Sequence, residues 1–212
     1  MAIAFGAISS VSTLQTPTSV SVSGSDTVGI VHVSDGTGVS NEITAVTWDG
    51  VSMTKIGEVQ TPGARWQSVW WIVNPTSSAT ISFTGGSYWR SFNSYYTGAH
   101  QTAPIDSSNT GTSSASTFLS ISTTVVVSGC WLIMVQADST GGKTYSASND
   151  ISIMRANADA GGIASADSNG TVATGSRTAT LTATGSTTHA GITFSLAPAP
   201  VVSTFIPKVI IF

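Results

Sequence analysis

The chain has 212 residues, a formal net charge of −3 and only 8% charged residues, against about 25% in an average globular protein. Its seven Lys and Arg are scattered, which excludes the clustered basic groove that nucleic acid requires, and no run approaches the ~20 apolar residues of a membrane span. The 35 Ser and 31 Thr make up close to a third of the chain, so the polar surface is hydroxyl rather than charge, as suits strands and turns.

In chain order, 2–9 and 18–23 read as short strands, and 27–34 as a better one, with Val28, Ile30 and His32 on one face. Asp35-Gly36-Thr37-Gly38 ends it as a turn. Residues 43–56 form the clearest hairpin. Asp49-Gly50 between two alternating runs fits a type I′ turn, whose two central residues need positive φ. That turn pairs Trp48 with Val51, Thr47 with Ser52 and Val46 with Met53, so Val46, Trp48, Val51 and Met53 should share one apolar face. Residues 66–73 carry apolar side chains on both faces, with Trp70 on one and Trp71 on the other, as in a strand covered on both sides.

Residues 79–84 alternate, and 88–97 form an aromatic-rich strand. Residues 98–116, polar and containing Pro104, read as a long loop or crossover. Strands follow at 117–127, 129–137, 151–156, 162–166, 177–184 and 188–197, with a loop over 138–150. About a dozen short strands with frequent turns indicate a sandwich or barrel. No repeat at a fixed period stands out, which argues against a propeller or solenoid. The expected fold is a single all-β antiparallel sandwich of jelly-roll type over 1–197, followed by an extended arm or extra strand over 198–212. In that tail Ala197-Pro198-Ala199-Pro200 is a stiff connector. Val201, Val202, Phe205, Ile206, Val209, Ile210, Ile211 and Phe212 after it suit either packing in cis or strand addition to a neighbouring subunit.

Chemistry is sparse. Cys130 sits among apolar residues and reads as a buried structural thiol. His32, His100 and His189 are far apart, and no zinc spacing is present. Gly-x-Ser-x-Gly is absent. A glycosidase needs a carboxylate pair, and none is singled out; Asp35, Asp106 and Asp138 look like turn formers. The Asp, Asn and Gly loops leave calcium open without an EF-type spacing. Trp89, Tyr95 and Tyr96, with Trp66, are candidate exposed aromatics for sugar stacking, against the alternative of core or interface rings. The chain starts without a basic n-region and apolar run, so no signal peptide is expected.

Three stretches carry a resemblance: Val46-Thr47-Trp48-Asp49-Gly50-Val51-Ser52-Met53-Thr54-Lys55-Ile56-Gly57, Val69-Trp70-Trp71-Ile72-Val73-Asn74-Pro75, and Ser91 through Asp106 with Gln101-Thr102-Ala103-Pro104-Ile105-Asp106. The closing Ile192-Thr193-Phe194-Ser195-Leu196-Ala197-Pro198 extends it. Together they resemble jelly-roll-like β-sandwich domains of tailed-phage virion proteins and bacterial surface proteins. The resemblance implies a non-enzymatic structural virion protein, above all a capsid decoration or cement protein, made in the host cytoplasm and located on the virion. It implies no cofactor and no metal. Its expected partners are further copies of the chain and other virion proteins such as a capsid protein, with no nucleic acid and no membrane. The alternative is a carbohydrate-binding module of a phage tail or bacterial surface, with glycans as ligand.

Overall fold

Asp49 and Gly50 both take positive φ, 52° and 80°. The turn is therefore the type I′ that Asp-Gly favours. It sets Trp48 opposite Val51 and Thr47 opposite Ser52, the register the turn length dictates. Trp48 and Val46 are buried, but Val51 is 57% exposed. The apolar face thus holds Val46, Trp48 and Met53 but loses Val51, the residue next to the turn. A computed structural model describes residues 1–11, 19–35, 43–62, 65–77, 80–86, 89–158 and 162–201. The chain is all-β, and its described residues form antiparallel sheets with no helix.

The strands are β1 (Ala4–Ile8), β2 (Val28–Asp35), β3 (Ala45–Trp48), β4 (Val51–Ser52), β5 (Thr54–Gln60), β6 (Trp66–Val73), β7 (Ile81–Thr84), β8 (Trp89–Thr97), β9 (Ile105–Val125), β10 (Trp131–Asp138), β11 (Tyr145–Asn149), β12 (Ile153–Ala158), β13 (Ile163–Asp167) and β14 (Gly175–Leu196). One sheet runs β1-β8-β2-β6-β5, and a small one runs β4-β3-β7. β14 bridges the rest: it pairs with β9 along its length, with β11 near its start and with β10 near its end, and β10 continues to β13 and β12.

The β9–β14 ribbon folds back on itself. Asn109 Nδ2 donates to the Ser122 carbonyl at 2.8 Å, and Thr123 Oγ1 donates to Ser107 Oγ at 3.1 Å, so both limbs of β9 lie against each other. The bend coincides with Ala115 at positive φ and with register shifts between Thr182 and His189. Gly111 and Gly191 pair at the fold. A Cβ on Gly191 would meet Leu119 Cδ2 at 2.7 Å and the Val135 carbonyl oxygen at 3.1 Å, and one on Gly111 would meet Ile121 Cγ1 at 2.9 Å. The layers close only because these side chains are absent.

Four layers result. The two large sheets pack face to face over Val28, Ile30, Val69, Phe92, Ile133, Val135, Ile192 and Phe194. Behind the first, β3 and β7 cover Val31, Val33, Trp70 and Tyr95 with Val46, Trp48 and Ile81. Behind the second, β11 and the folded-back limbs cover Leu132, Met134, Ala164 and Ala166 with Leu119, Ile121, Tyr145 and Leu181. Trp70 and Trp71 face opposite sides of β6, as expected.

The two halves correspond in structure, although the sequence shows no repeat at a fixed period. β1, β2, β5, β6 and β8 of the first half correspond in order and pairing to the first limb of β9, β10, β12, β13 and the last limb of β14. β3 and β7 correspond to β11 and the first limb of β14. The correspondence holds residue by residue. Ile30 pairs with Trp71 and Ser94, and Ile133 with Asp167 and Phe194. Asp35 pairs with Trp89 as Asp138 does with His189. Even the irregularities recur: between Phe5 and Ala7 as beside Ile105, and between Lys55 and Gly57 as between Met154 and Ala156. Bulges are built features of a fold, so matching ones mark one design used twice.

Three segments differ from the sequence reading. Residues 105–116 are strand rather than loop, as is Tyr145–Asn149. The two expected strands at 177–184 and 188–197 are one strand, β14. Residues 19–23 make no ladder, although Val20 is buried in the first-half core.

Gly191→Ala is expected to destabilise the protein by about 1–3 kcal/mol through overpacking. Gly170→Ala, which meets nothing closer than 3.9 Å, should stay within about 0.5 kcal/mol. Urea unfolding of the two variants checks this.

Candidate functional site

Of the candidate aromatics, Tyr95 is 6% and Tyr96 1% exposed. This corrects their reading as exposed rings: successive residues of β8 point into the two cores on its two sides. A buried ring cannot stack on a sugar. Trp66 is half-buried, and the Trp89 side chain lies outside the described residues. Of the arm, Val201 is 84% exposed, while Val202, Phe205, Ile206, Val209, Ile210, Ile211 and Phe212 lie outside the described residues.

Among the described residues, three polar clusters stand inside the body. The first spans the two large sheets. Arg155 on β12 grips Asp167 on β13 with Nε to Oδ2 at 2.7 Å and Nη2 to Oδ1 at 2.9 Å. Tyr96 of the first half donates its hydroxyl to Asp167 Oδ2 at 3.1 Å, and the Arg155 guanidinium lies 4.0 Å over the Phe5 ring. Burial and then the Asp167 charge push the Tyr96 phenol well up, so it stays a donor. Every buried polar group here has a partner, the condition for tolerating a charge in a core.

The second lies at the end of β10. Asp138 Oδ1 accepts from the Thr140 amide at 2.8 Å and from the Gly141 amide, and Oδ2 accepts from the Tyr145 hydroxyl. This is an Asx turn closed by a phenol. Burial, then Asp138, pushes the Tyr145 phenol up. Nearby, His189 Nε2 lies 2.9 Å from the Ser116 carbonyl, which can only accept. Nε2 therefore carries the proton, and Nδ1 accepts from Gln136 Nε2 at 2.8 Å. Burial lowers the His189 pKa, consistent with a neutral ring.

The third is His32, fully buried, with Nε2 2.8 Å from Gln67 Oε1 and its ring edge against Phe92. Desolvation lowers its pKa from 6.5 to about 4. Cys130 is fully buried, as expected, and burial together with Asp106 pushes its thiol up to about 12. Asp106 itself holds the amides of Val126 and Val127 and the Ser195 hydroxyl. His100 Nδ1 accepts from the amides of Thr102 and Ala103. These roles are structural. Among the described residues no three His, Cys, Asp or Glu side chains are grouped to hold a metal ion.

The remaining candidate is the end of the molecule where the chain leaves it. β8 and β14 finish side by side: Ala99 bridges Pro198, the His100 amide donates to the Ala197 carbonyl, and the Ala199 amide donates to the Gly98 carbonyl. The N-terminal amine reaches the Ala199 carbonyl at 3.4 Å. A Cβ on Gly129 would sit 3.3 Å from Pro198 Cγ. Met1, Val126, Val127 and Val201 are exposed around this exit, and an open cavity of about 340 Å³ beside it is lined by Asp26, His100, Gln101, Thr102, Ala199 and Pro200. The sequence signalled this region through its Pro-rich connector and apolar tail. The polar cluster of Arg155, Asp167 and Tyr96 had no sequence signal, because its members are far apart in the chain. No protein-family model matches the chain, and neither does any curated protein.

Two outcomes are expected from these clusters. Asp167→Ala takes the counter-charge from the half-buried Arg155 and the acceptor from the buried Tyr96 phenol, and should cost about 3–5 kcal/mol. The pair Arg155→Met with Asp167→Leu should cost far less, as chemical denaturation will register. Acid supplies the second. His32 titrates near 4 in the fold and 6.5 when unfolded, so the unfolded chain binds the extra proton first. Stability is full above pH 6.5 and falls as pH drops toward 4, by about 3 kcal/mol from His32. His32→Leu should flatten that segment of a stability–pH curve.

Proposed function

We propose that the chain is a structural virion protein of a tailed phage, acting as a capsid decoration or cement protein that assembles with itself and with a capsid protein. The observation that carries this reading is the exit of the chain. Val201 leaves the body 84% exposed, among exposed Met1, Val126 and Val127, and the eleven residues beyond it are rich in Val, Ile and Phe. Apolar surface gathered around the base of an apolar segment suits an assembly contact, and an arm adding to a neighbour is an established mode of association. The low charge fits as well, since a weakly charged surface repels its copies weakly.

We propose further that each half is a jelly roll. The order β1-β8-β2-β6 facing β4-β3-β7 supports this, with the first and last strands adjacent, as in the double Greek key. The second half repeats that order. The three stretches resembling phage virion sandwiches fall on β3 to β5, on β6 and on β8 with the following connector, all within or next to the first half.

A chain ending at Val201 keeps every described residue. It should unfold at the same urea concentration as the full chain, yet fail to co-sediment with phage particles lacking the protein and fail to oligomerise in light scattering. Unchanged binding and oligomerisation would refute the reading.

A further inference from the structure

The residue-by-residue match between halves turns their contact into an interface between two like units. Each contributes the same face of the same five-stranded sheet: Val28, Ile30 and Phe92 from one, Trp131, Ile133 and Ile192 from the other, at matching positions. The bridge of Ala99 to Pro198 joins the ends of corresponding strands, as a contact near a two-fold axis does. The backbone bonds His100 to Ala197 and Ala199 to Gly98 cross in opposite directions there.

One feature of this face breaks the symmetry. Asp167 and Arg155 of the second half correspond in register to Trp71 and Ile56 of the first, and Tyr96 corresponds to Leu196. Two second halves pairing this way would set Leu196 where Tyr96 stands, and Asp167 would lose the hydroxyl. Two first halves would set Trp71 where Asp167 stands, and the Tyr96 hydroxyl would be buried without its acceptor. Either penalises the like pair, because a buried polar group without its bond is costly. Such a device adds specificity by disfavouring the wrong partner.

We infer that the chain is a fused pair of association units, in which the large-sheet face of one half is a docking surface for the opposite half, and Tyr96, Asp167 and Arg155 select unlike over like pairing. The partner that fits either face is the complementary half, in this chain or in a second copy. This does not depend on the virion reading.

The test uses the full chain with a protease site inserted between Thr102 and Ala103, which are exposed in the connector. The folded protein is cut and followed by native mass spectrometry and near-ultraviolet circular dichroism. The halves are expected to remain a folded one-to-one pair. Mixed with isotope-labelled cut protein, they should exchange into unlike pairs only. Tyr96→Phe, which keeps the ring and removes the hydroxyl, should weaken the cut pair about tenfold or more and admit like pairs. Unfolding on cutting would show that the halves are not units. Folded halves that part at micromolar concentration would remove the docking surface, and like pairs forming as readily as unlike ones would remove the selecting role of the cluster.

Discussion

Everything in this fold depends on the packing of one large sheet against the other. Each of these sheets also covers a small sheet on its other side, so its strands meet apolar layers on both faces. β2 and β10 are buried along all eight residues. A strand in that position cannot alternate polar with apolar, and water-facing positions fall mainly to the outer layers and loops. There the chain uses hydroxyls: Ser120 meets Thr180 at 2.6 Å and Ser122 meets Thr178 at 2.8 Å across the folded-back limbs. The low charge lies in that choice, because the exposed positions of the outer layers and loops carry mostly small polar residues in place of Lys or Glu.

The two halves solve the same packing problem with different volumes. The first fills its interior with Trp48, Trp70 and Tyr95. The second places the small Ala166 and Ser195 where Trp70 and Tyr95 stand, and an exposed Asn149 at the place of Trp48; a Cβ on Gly111 or Gly191 would have no room there. Both halves use glycines to pack densely, Gly6 and Gly29 against the Tyr95 and Trp48 rings of the first, Gly111 and Gly191 against the smaller Ile121 and Leu119 of the second. The divergence explains why the duplication escapes a reading of the sequence. Topology and bulges keep backbone pairing, whereas the side chains that would reveal it have been exchanged large for small. Few correspondences survive as identities, among them Ile30 with Ile133, Asp35 with Asp138 and Asp49 with Asp150.

What was legible follows the same logic. The Asp49-Gly50 turn, the hairpin register and the two-sided character of Trp66–Val73 were readable because each rests on neighbours in the chain. Residues 105–116 looked like loop because Ser, Thr, Gly and Asn suit turns as well as an edge limb facing water. β14 looked like two strands because Gly185-Ser186 falls at its bend. Tyr95 and Tyr96 looked available because adjacent strand residues always point to opposite faces; only a third layer buries both. Tertiary context, rather than local preference, decided each of these.

The same context assigns the ionisable groups. A carboxylate or imidazole suited to chemistry normally faces a cleft with a perturbed affinity for protons. In this chain Asp106 ties the ends of the folded ribbon, Asp138 closes a turn, Asp167 joins the two halves, and His189 and His32 are held neutral by burial and amide partners. The cross-half cluster differs from the others in one respect. The carboxylates of Asp138 and Asp106 serve bonds within the second half, while Arg65 of the first half meets the Asp138 backbone carbonyl, at 3.1 Å, rather than its carboxylate. Among the described residues Tyr96 is the one donor to Asp167 from the first half, so its bond exists only when the correct half is in place. A buried polar bond of that kind contributes less to raw stability than to the choice of partner, and it gives the pseudo-symmetric interface its direction.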